Sequence, residues 1–376
     1  MATEFHSDGN FSWPSTIDGN YAHDYLQPIL ASGTTASMTN VQAQLGVVQS
    51  GDIVLPVTHG KYHRGQSYVV SPRAHYLDYA HEEASRLPSR TLRMLGLGAC
   101  SLAQVLAGRG LDSCVMVNNW LLSTNLYPAQ IAVHAVEILE CLLQTFPDQP
   151  IIFRSVDALA NRELIATLVQ RGCRAVLARS IYYQNVHASG FWQQRQVKVD
   201  QRRFRSSGYR LRKLGFPNDV KHLPRVLDLY NKLYLEKYSS LNPQLTEAYL
   251  KNCLQHNLLS IHTLEIDGRI DGVLGYYARN GIMTQPLFGY DTSLPRDLGL
   301  YAHLSMAVLW EAQQHQLLIN ASAGASDFKR QRGGQQMLEF NLVFDAHLPA
   351  SRRRSWAMLE KLLGPSAQRI ILEHGL

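Results

Sequence analysis

The chain is 376 residues long, 45% hydrophobic and 18% charged, which is ordinary globular composition and more than one hydrophobic core usually fills. Disorder is excluded on that composition, and two lobes are expected. No stretch reaches the roughly 18 uninterrupted apolar residues of a membrane helix, and the net charge of +6 suits an anionic partner.

The opening MATEFHSDGNFSWPS lacks a basic segment followed by an apolar run, so no secretory signal is expected and a cytoplasmic location is the default. Residues 1–40, rich in Ser, Thr, Gly and Asn, read as an N-terminal arm with one short helix. From Val41 the pattern becomes strand-like. VQAQLGVVQ and IVLPVTH flank a Ser50-Gly51-Asp52 turn, a hairpin signal. A third strand is expected over residues 67–71 and a helix over 77–87. Further on, Ile131, Ala135, Ile138 and Leu142 share one helical stripe. Pro150 breaks that helix before a buried strand at 151–153. A helix over 161–170 and a strand over 174–181 complete an alternating α/β layer.

Residues 190–216 are basic, polar and aromatic and read as a hinge between lobes. They hold Arg195, Lys198, Arg202, Arg203, Arg205, Arg210, Arg212 and Lys213. Smaller clusters are Lys329, Arg330, Arg332 and Arg352, Arg353, Arg354. Such patches attract phosphate, whether on a nucleotide or on RNA. Beyond the hinge come helices at 220–236 and 246–256, strands at 259–265, 270–279 and 283–290, and a Pro-containing loop. A long helix over 300–315, a short strand at 317–320 and a β pair near 338–344 follow. The five cysteines are scattered among apolar neighbours without C-x-x-C spacing, so buried free thiols and no metal are expected. The fifteen histidines show no H-E-x-x-H pattern either.

The second-half order of helix, helix, three antiparallel strands, loop, long helix and strand resembles the GNAT (Gcn5-related N-acetyltransferase) layout. In that family the loop after the third strand binds the cofactor pyrophosphate. Here it reads Arg296-Asp297-Leu298-Gly299-Leu300-Tyr301, similar to Arg/Gln-x-x-Gly-x-Gly/Ala except that Tyr301 replaces the last small residue. Unpaired amides and the dipole of a helix N-terminus favour phosphate there. The pair Phe328-Lys329 resembles the segment that Fem-type peptidyltransferases carry near their transfer site. Residues 41–71 look like a degenerate copy of the second sheet, and Fem-type proteins likewise have two GNAT-like lobes. The resemblance thus implies an α/β (α+β) fold of two lobes, at residues 41–200 and 201–376. Each is a mixed, mostly antiparallel sheet flanked by helices, with a cleft between them.

An acyltransferase needs a base for the attacking amine and a donor for the leaving thiolate. The candidates are Lys329, Asp327, Tyr290, His347 and Tyr79 for catalysis. Arg296, Leu298, Gly299, Leu300 and Tyr301 are the expected cofactor-binding residues. His75, Tyr76, Asn118, Trp120, Ser123 and Arg332 are expected to bind substrate. The implied reaction moves an acyl group from acyl-CoA (acetyl-CoA in the simplest case) or an acyl carrier protein with its phosphopantetheine arm to an amine or hydroxyl of a small-molecule acceptor. The alternatives are a Fem-like aminoacyltransferase using aminoacyl-tRNA, the less favoured partner, and a non-catalytic GNAT-like binding module.

Overall fold

The computed structural model describes residues 3–86 and 89–374. These divide into two compact units, each discontinuous in sequence. The first runs to Arg179 and adds Ser239–Gln244 and Leu338–Ile370. The second holds Ser180–Tyr238, Leu245–Met337 and the segment from Ile371. Leu87, the end of one expected helix, lies outside the described residues, as do the last two residues of the chain.

In chain order the first half carries β1 (Glu4–His6), α1 (Ile17–Ser32), the single turn α2 (Thr34–Ser37), β2 (Gln44–Ser50) and β3 (Ile53–Lys61). Next come α3 (Tyr79–Ser85), α4 (Arg90–Ala107), β4 (Ser113–Val117), α5 (Ile131–Thr145), β5 (Ile151–Asp157), α6 (Arg162–Gln170) and β6 (Arg174–Gln184). The second half begins with α7 (Arg195–Ser206), β7 (Arg210–Lys213), α8 (Leu223–Asn231), α9 (Glu247–Gln255), β8 (Ser260–Ile266), β9 (Arg269–Arg279) and β10 (Ile282–Tyr290). It ends with α10 (Leu300–Gln314), β11 (Leu318–Asn320), α11 (Ser326–Arg330), β12 (Gln335–Phe344), α12 (Ala350–Leu362) and α13 (Pro365–His374).

The first unit orders its strands β1-β2-β3-β4-β5-β12, antiparallel except for the parallel step from β4 to β5. The second orders its strands β7-β8-β9-β10-β11-β6, antiparallel except for the parallel step from β10 to β11. Both units therefore use one plan: four antiparallel strands, a helical crossover, a parallel fifth strand, and a sixth strand supplied by the other half of the chain. The crossover is α5 in the first unit and α10 in the second, because a parallel step cannot be closed by a tight turn.

Apolar periodicity sets the packing. In the first unit Ile131, Ala135, Ile138 and Leu142 of α5 are buried against Val57, Val117 and Phe153 of the sheet. In the second, Leu300, Leu304, Met306, Ala307 and Ala312 of α10 pack on Leu274, Met283 and Ile319. A fully buried Leu or Ile contributes about 1.5–3 kcal/mol. Strand β10 is bulged between Thr284 and Leu287, where Gln285 and Pro286 sit. Proline lacks the ladder N–H, so a bulge is where a strand tolerates it. The β10–β11 ladder is confined to Ile282–Leu318 and Met283–Ile319.

Several local expectations are corrected. Residues 67–71 form no strand: Tyr68–Val70 is a 3₁₀ turn. Ser67 N–H bonds to the Asn40 carbonyl and Tyr68 N–H to that of Leu241, which leaves no ladder. The fourth strand of the first sheet is instead β4, which the sequence reading passed over together with α4. The helix expected over 77–87 starts as a wide turn at Ala74–Asp78 and continues as α3. Residues 190–216 hold α7 and β7 and lie within the second unit rather than forming a hinge between lobes, since Val197 and Phe204 give α7 a packed face against α10. The β pair near 338–344 is the single strand β12. Within 1–40, α1 is 16 residues long and packed: the Tyr25 hydroxyl donates to the Trp120 carbonyl at 2.6 Å.

No described helix is long and apolar enough to cross a membrane. The described residues include no group of three or more His, Cys, Asp or Glu that could hold a metal ion.

Candidate functional site

In the second unit β10 hands over to α10 through the turn at residues 291–299. Arg296, Asp297 and Leu298 are exposed there. Gly299 has φ 70° and ψ 31°, left-handed geometry that glycine adopts without penalty. The first main-chain bond of α10 runs from His303 N–H to the Gly299 carbonyl. Among the described residues the N–H groups of Leu300, Tyr301 and Ala302 have no protein acceptor, the open donors of a helix start. Arg203 of α7 lies across this turn. Its guanidinium donates to the Asp297 carbonyl, and a Cβ added to Gly299 would fall 2.5 Å from its Cζ. Arg203 is exposed, as are Arg195, Lys198, Arg202 and Arg205 on the same helix. Helix dipole, free amides and a guanidinium thus converge on one exposed spot.

Tyr301 is accommodated sideways. Its ring meets Phe288, Phe328 and Tyr290 edge-on, with centroids 5.4, 4.7 and 6.2 Å away. Burial pushes its hydroxyl well above the usual phenol range. The Tyr290 oxygen accepts from the Lys237 ammonium at 2.9 Å.

Lys329 is 7% exposed and sits on α11 beside this aromatic group. Its ammonium donates to the carbonyls of Ala321 (2.6 Å), Ser322 (3.1 Å) and Ala323 (2.8 Å). That loop needs a clamp, because Ser322 and Ala325 have φ of 57° and 50°, which a side chain disfavours. Arg332 is buried, ion-paired to Asp200 of α7 and bonded to the Phe328 carbonyl, with its guanidinium 3.3 Å over the Phe328 ring. Asp327 points outward and pairs with Arg330 on the next turn. Lys329 and Arg332 thus hold the loop around the aromatic cluster.

The first unit contains a separate polar cavity of about 20 Å³, room for one or two waters. It is lined by Tyr68, Pro72, His75, Met116, Ser123 and Arg154, and by Ala178, Arg179, Glu339 and Asn341. Its origin is an irregularity where β5 meets β12. Phe153 pairs with Leu342 and Val156 with Phe340, so Arg154 and Ser155 together oppose Asn341 alone. Ser155 takes φ 56°, the mark of a bulge that re-aims its neighbour. The β4–β5 ladder also stops at Val117–Phe153, one residue earlier.

Arg179 grips both oxygens of buried Glu339, at 2.8 and 3.1 Å, and donates to the Ser123 carbonyl. Arg154 is 7% exposed, and its Nη1 donates to Asn119 Oδ1 at 2.6 Å and to the Leu122 carbonyl at 3.4 Å. Burial pulls its pKa down to about 10, with Glu339 opposing that shift. His75 Nε2 faces the Ala178 carbonyl at 3.1 Å, so that nitrogen carries the proton. Burial, then the charges of Arg154 and Arg179, lower its pKa to about 3 and keep the ring neutral. The hydroxyls of Tyr68 and Ser123 are 2.5 Å apart.

Of the residues expected to bind substrate, His75 and Ser123 line this cavity. The Tyr76 hydroxyl accepts from Asn341, which lines it too. Asn118 and Trp120 are buried and bonded to each other, Trp120 Nε1 to Asn118 Oδ1 at 2.7 Å, and brace the loop after β4. Tyr79 meets Tyr68 edge-on at 5.4 Å, and burial raises its hydroxyl above the ordinary phenol range. His347 is exposed, faces the Gln149 carbonyl and stacks on Phe344, outside the cavity lining. Sequence reasoning missed Arg154, Arg179, Glu339, Asn341 and Tyr68. A signal existed: IIFRSV, VLARSI and MLEFNLV each place one charge inside an apolar strand, and a buried charge calls for a partner or a role.

No protein-family model matches the chain, and no curated protein matches it. Among solved structures, FemX aligns over 94% of this chain and 96% of its own, with 8% identity and a TM-score of 0.50. L-PGS from Bacillus licheniformis aligns over 67% of this chain and 83% of its own, at 15% identity and a TM-score of 0.46. A tandem GNAT protein from the clavulanic acid biosynthesis pathway covers 91% and 98%, at 10% identity and 0.39. The FemX likeness establishes the fold: the chain has the Fem-like architecture of two GNAT-like units.

Proposed function

We propose that the chain is an acyltransferase, moving an acyl group from a thioester, acyl-CoA or an acyl carrier protein, to the amine or hydroxyl of a small acceptor. The observation that carries the reading is the exposed turn before α10, where three free amides and the Arg203 guanidinium meet at Gly299. A donor phosphate fits that combination, and Arg296 is exposed beside it. In the transfer, the acceptor nitrogen or oxygen bonds to the acyl carbon, the C–S bond breaks, and the acceptor's proton passes through a base while the thiolate is protonated. Tyr290, held by Lys237 beside Tyr301, is the proposed group for the second proton transfer.

One observation favours a second reading. The basic residues of α7 are exposed along the helix that carries Arg203, a surface able to follow an RNA backbone, so an aminoacyl-tRNA donor is the alternative. Thermal shift separates the two, because a ligand selective for the folded state raises its melting temperature. CoA and acetyl-CoA are expected to stabilise the wild type, and Arg203→Ala to weaken CoA about tenfold or more, as for one charge-assisted phosphate contact. Stabilisation by tRNA but by no CoA species would replace the first reading with the second. Stabilisation by neither would end both.

A further inference from the structure

The cavity of the first unit is not used by the donor turn, and its electrostatics are incomplete as they stand. Arg154 makes only the two hydrogen bonds from Nη1. Among the described residues Nε and Nη2 have no acceptor, and no carboxylate pairs with this guanidinium. The one acid in the lining, Glu339, already has both oxygens held by Arg179. Two guanidinium groups against one carboxylate leave the cavity a single positive charge short of a partner. A buried cation in that state is costly unless something occupies its free edge.

We propose that this cavity is a recognition site for a carboxylate, held side-on by Nε and Nη2 of Arg154. The charge balance selects a monoanion. A phosphate, carrying about −1.5 to −2 at neutral pH, over-neutralises the site and faces Glu339 with the excess. The geometry selects a planar group, because the Nε–Nη2 edge of a guanidinium matches the two oxygens of a carboxylate. The neighbours suit a headgroup with donors of its own. His75 Nδ1 is an unprotonated acceptor once Nε2 is committed to Ala178, and the Tyr68 and Ser123 hydroxyls can turn either way. The part-exposure of Tyr68, His75, Ser123 and Arg179 lets the rest of the ligand extend outward. The ligand class is therefore a carboxylate-bearing small molecule or peptide end. The inference stands on this cavity alone and does not require the transfer reading.

The test is thermal shift and calorimetry with sodium acetate, N-acetylglycine, N-acetylglycinamide and inorganic phosphate, all against sodium chloride at equal ionic strength. Acetate and N-acetylglycine are expected to give saturable stabilisation, and the amide, phosphate and chloride none. Arg154→Met is expected to fold, to match or exceed the wild type in ligand-free melting temperature, and to bind N-acetylglycine at least tenfold more weakly. Its response to CoA is expected to be unchanged, so a failed carboxylate site and a failed donor turn are told apart. Equal binding by Arg154→Met, equal stabilisation by the amide or phosphate, or no carboxylate effect would each overturn the proposal. If Arg154→Met does not fold, Ser123→Ala decides: a several-fold loss of N-acetylglycine affinity supports the site, and an unchanged affinity overturns it.

Discussion

Replacing Lys329 by Met asks what the buried ammonium does. Methionine keeps the length of the side chain and its packing beside the Tyr182 ring, which lies 5.6 Å from Nζ, but removes the charge and all three donors. The carbonyls of Ala321 and Ala323 lose the ammonium at 2.6 and 2.8 Å, and that of Ser322 loses it at 3.1 Å but keeps the Tyr182 N–H at 3.2 Å, in a place where Lys329 is only 7% exposed. Hydrogen bonds to a charged group contribute about 1.5–3 kcal/mol each and are not additive when they share one donor, so the expected loss is about 3–5 kcal/mol. The loop they tie adds to it, because Ser322 and Ala325 are held in left-handed backbone geometry that an untied loop would leave. Urea unfolding of the wild type and Lys329→Met measures the loss, and an assay of acyl transfer on the same samples measures turnover. If Lys329 clamps the loop, stability falls by that amount and the remaining folded protein loses activity through a displaced Phe328. A variant within about 1 kcal/mol of the wild type that has lost all turnover would refute the clamp and make the lysine catalytic.

Two further predictions concern the sheets and pH. His75 stays neutral when folded, with its pKa near 3, but takes up a proton near 6.5 when unfolded, so the unfolded state binds more protons between those values. Stability should therefore fall as pH drops below 6.5, by at most about 2 kcal/mol at pH 5, and His75→Gln should flatten that part of the pH–stability curve; a parallel curve for the variant would contradict the buried neutral ring. In the second unit, a methyl on Gly289 would meet the main chain of Leu229 at 2.5 Å and that of Tyr230 at 2.7 Å, atoms that cannot rotate away. Gly289→Ala should lower stability by about 1–3 kcal/mol or more in denaturant unfolding, and a loss below about 0.5 kcal/mol would show that α8 rides more loosely on β10 than described.

How far the sequence could be read differed between the halves. In the second unit the run from β8 to α10 is locally announced. Apolar alternation bounded by Asp267-Gly268 and Asn280-Gly281 fixes β8, β9 and β10, and an apolar run behind Gly299 fixes α10. In the first unit Tyr-Val-Val at 68–70 has strand-like composition, yet the Tyr68 amide is claimed by Leu241 and those of Val69 and Val70 by Ser67. The helical face of α7 was hidden because Asp200 interrupts its apolar stripe, and that aspartate is tolerated only because Arg332 meets it across 132 residues. The turn at Gly299 was legible as a motif, whereas the placing of Arg203 upon it was not.

Local patterning determined the crossover helices α5 and α10 and the strands β8, β9 and β10, because periodicity, turn residues and helix starts act over a few neighbouring residues. The carboxylate cavity was decided only by tertiary structure. Arg154 and Asn341 face one another through a bulge, and Arg179 finds Glu339 from 160 residues away. Charges so far apart in the chain acquire an electrostatic meaning only when folding removes the water between them and fixes which of them is left without a partner.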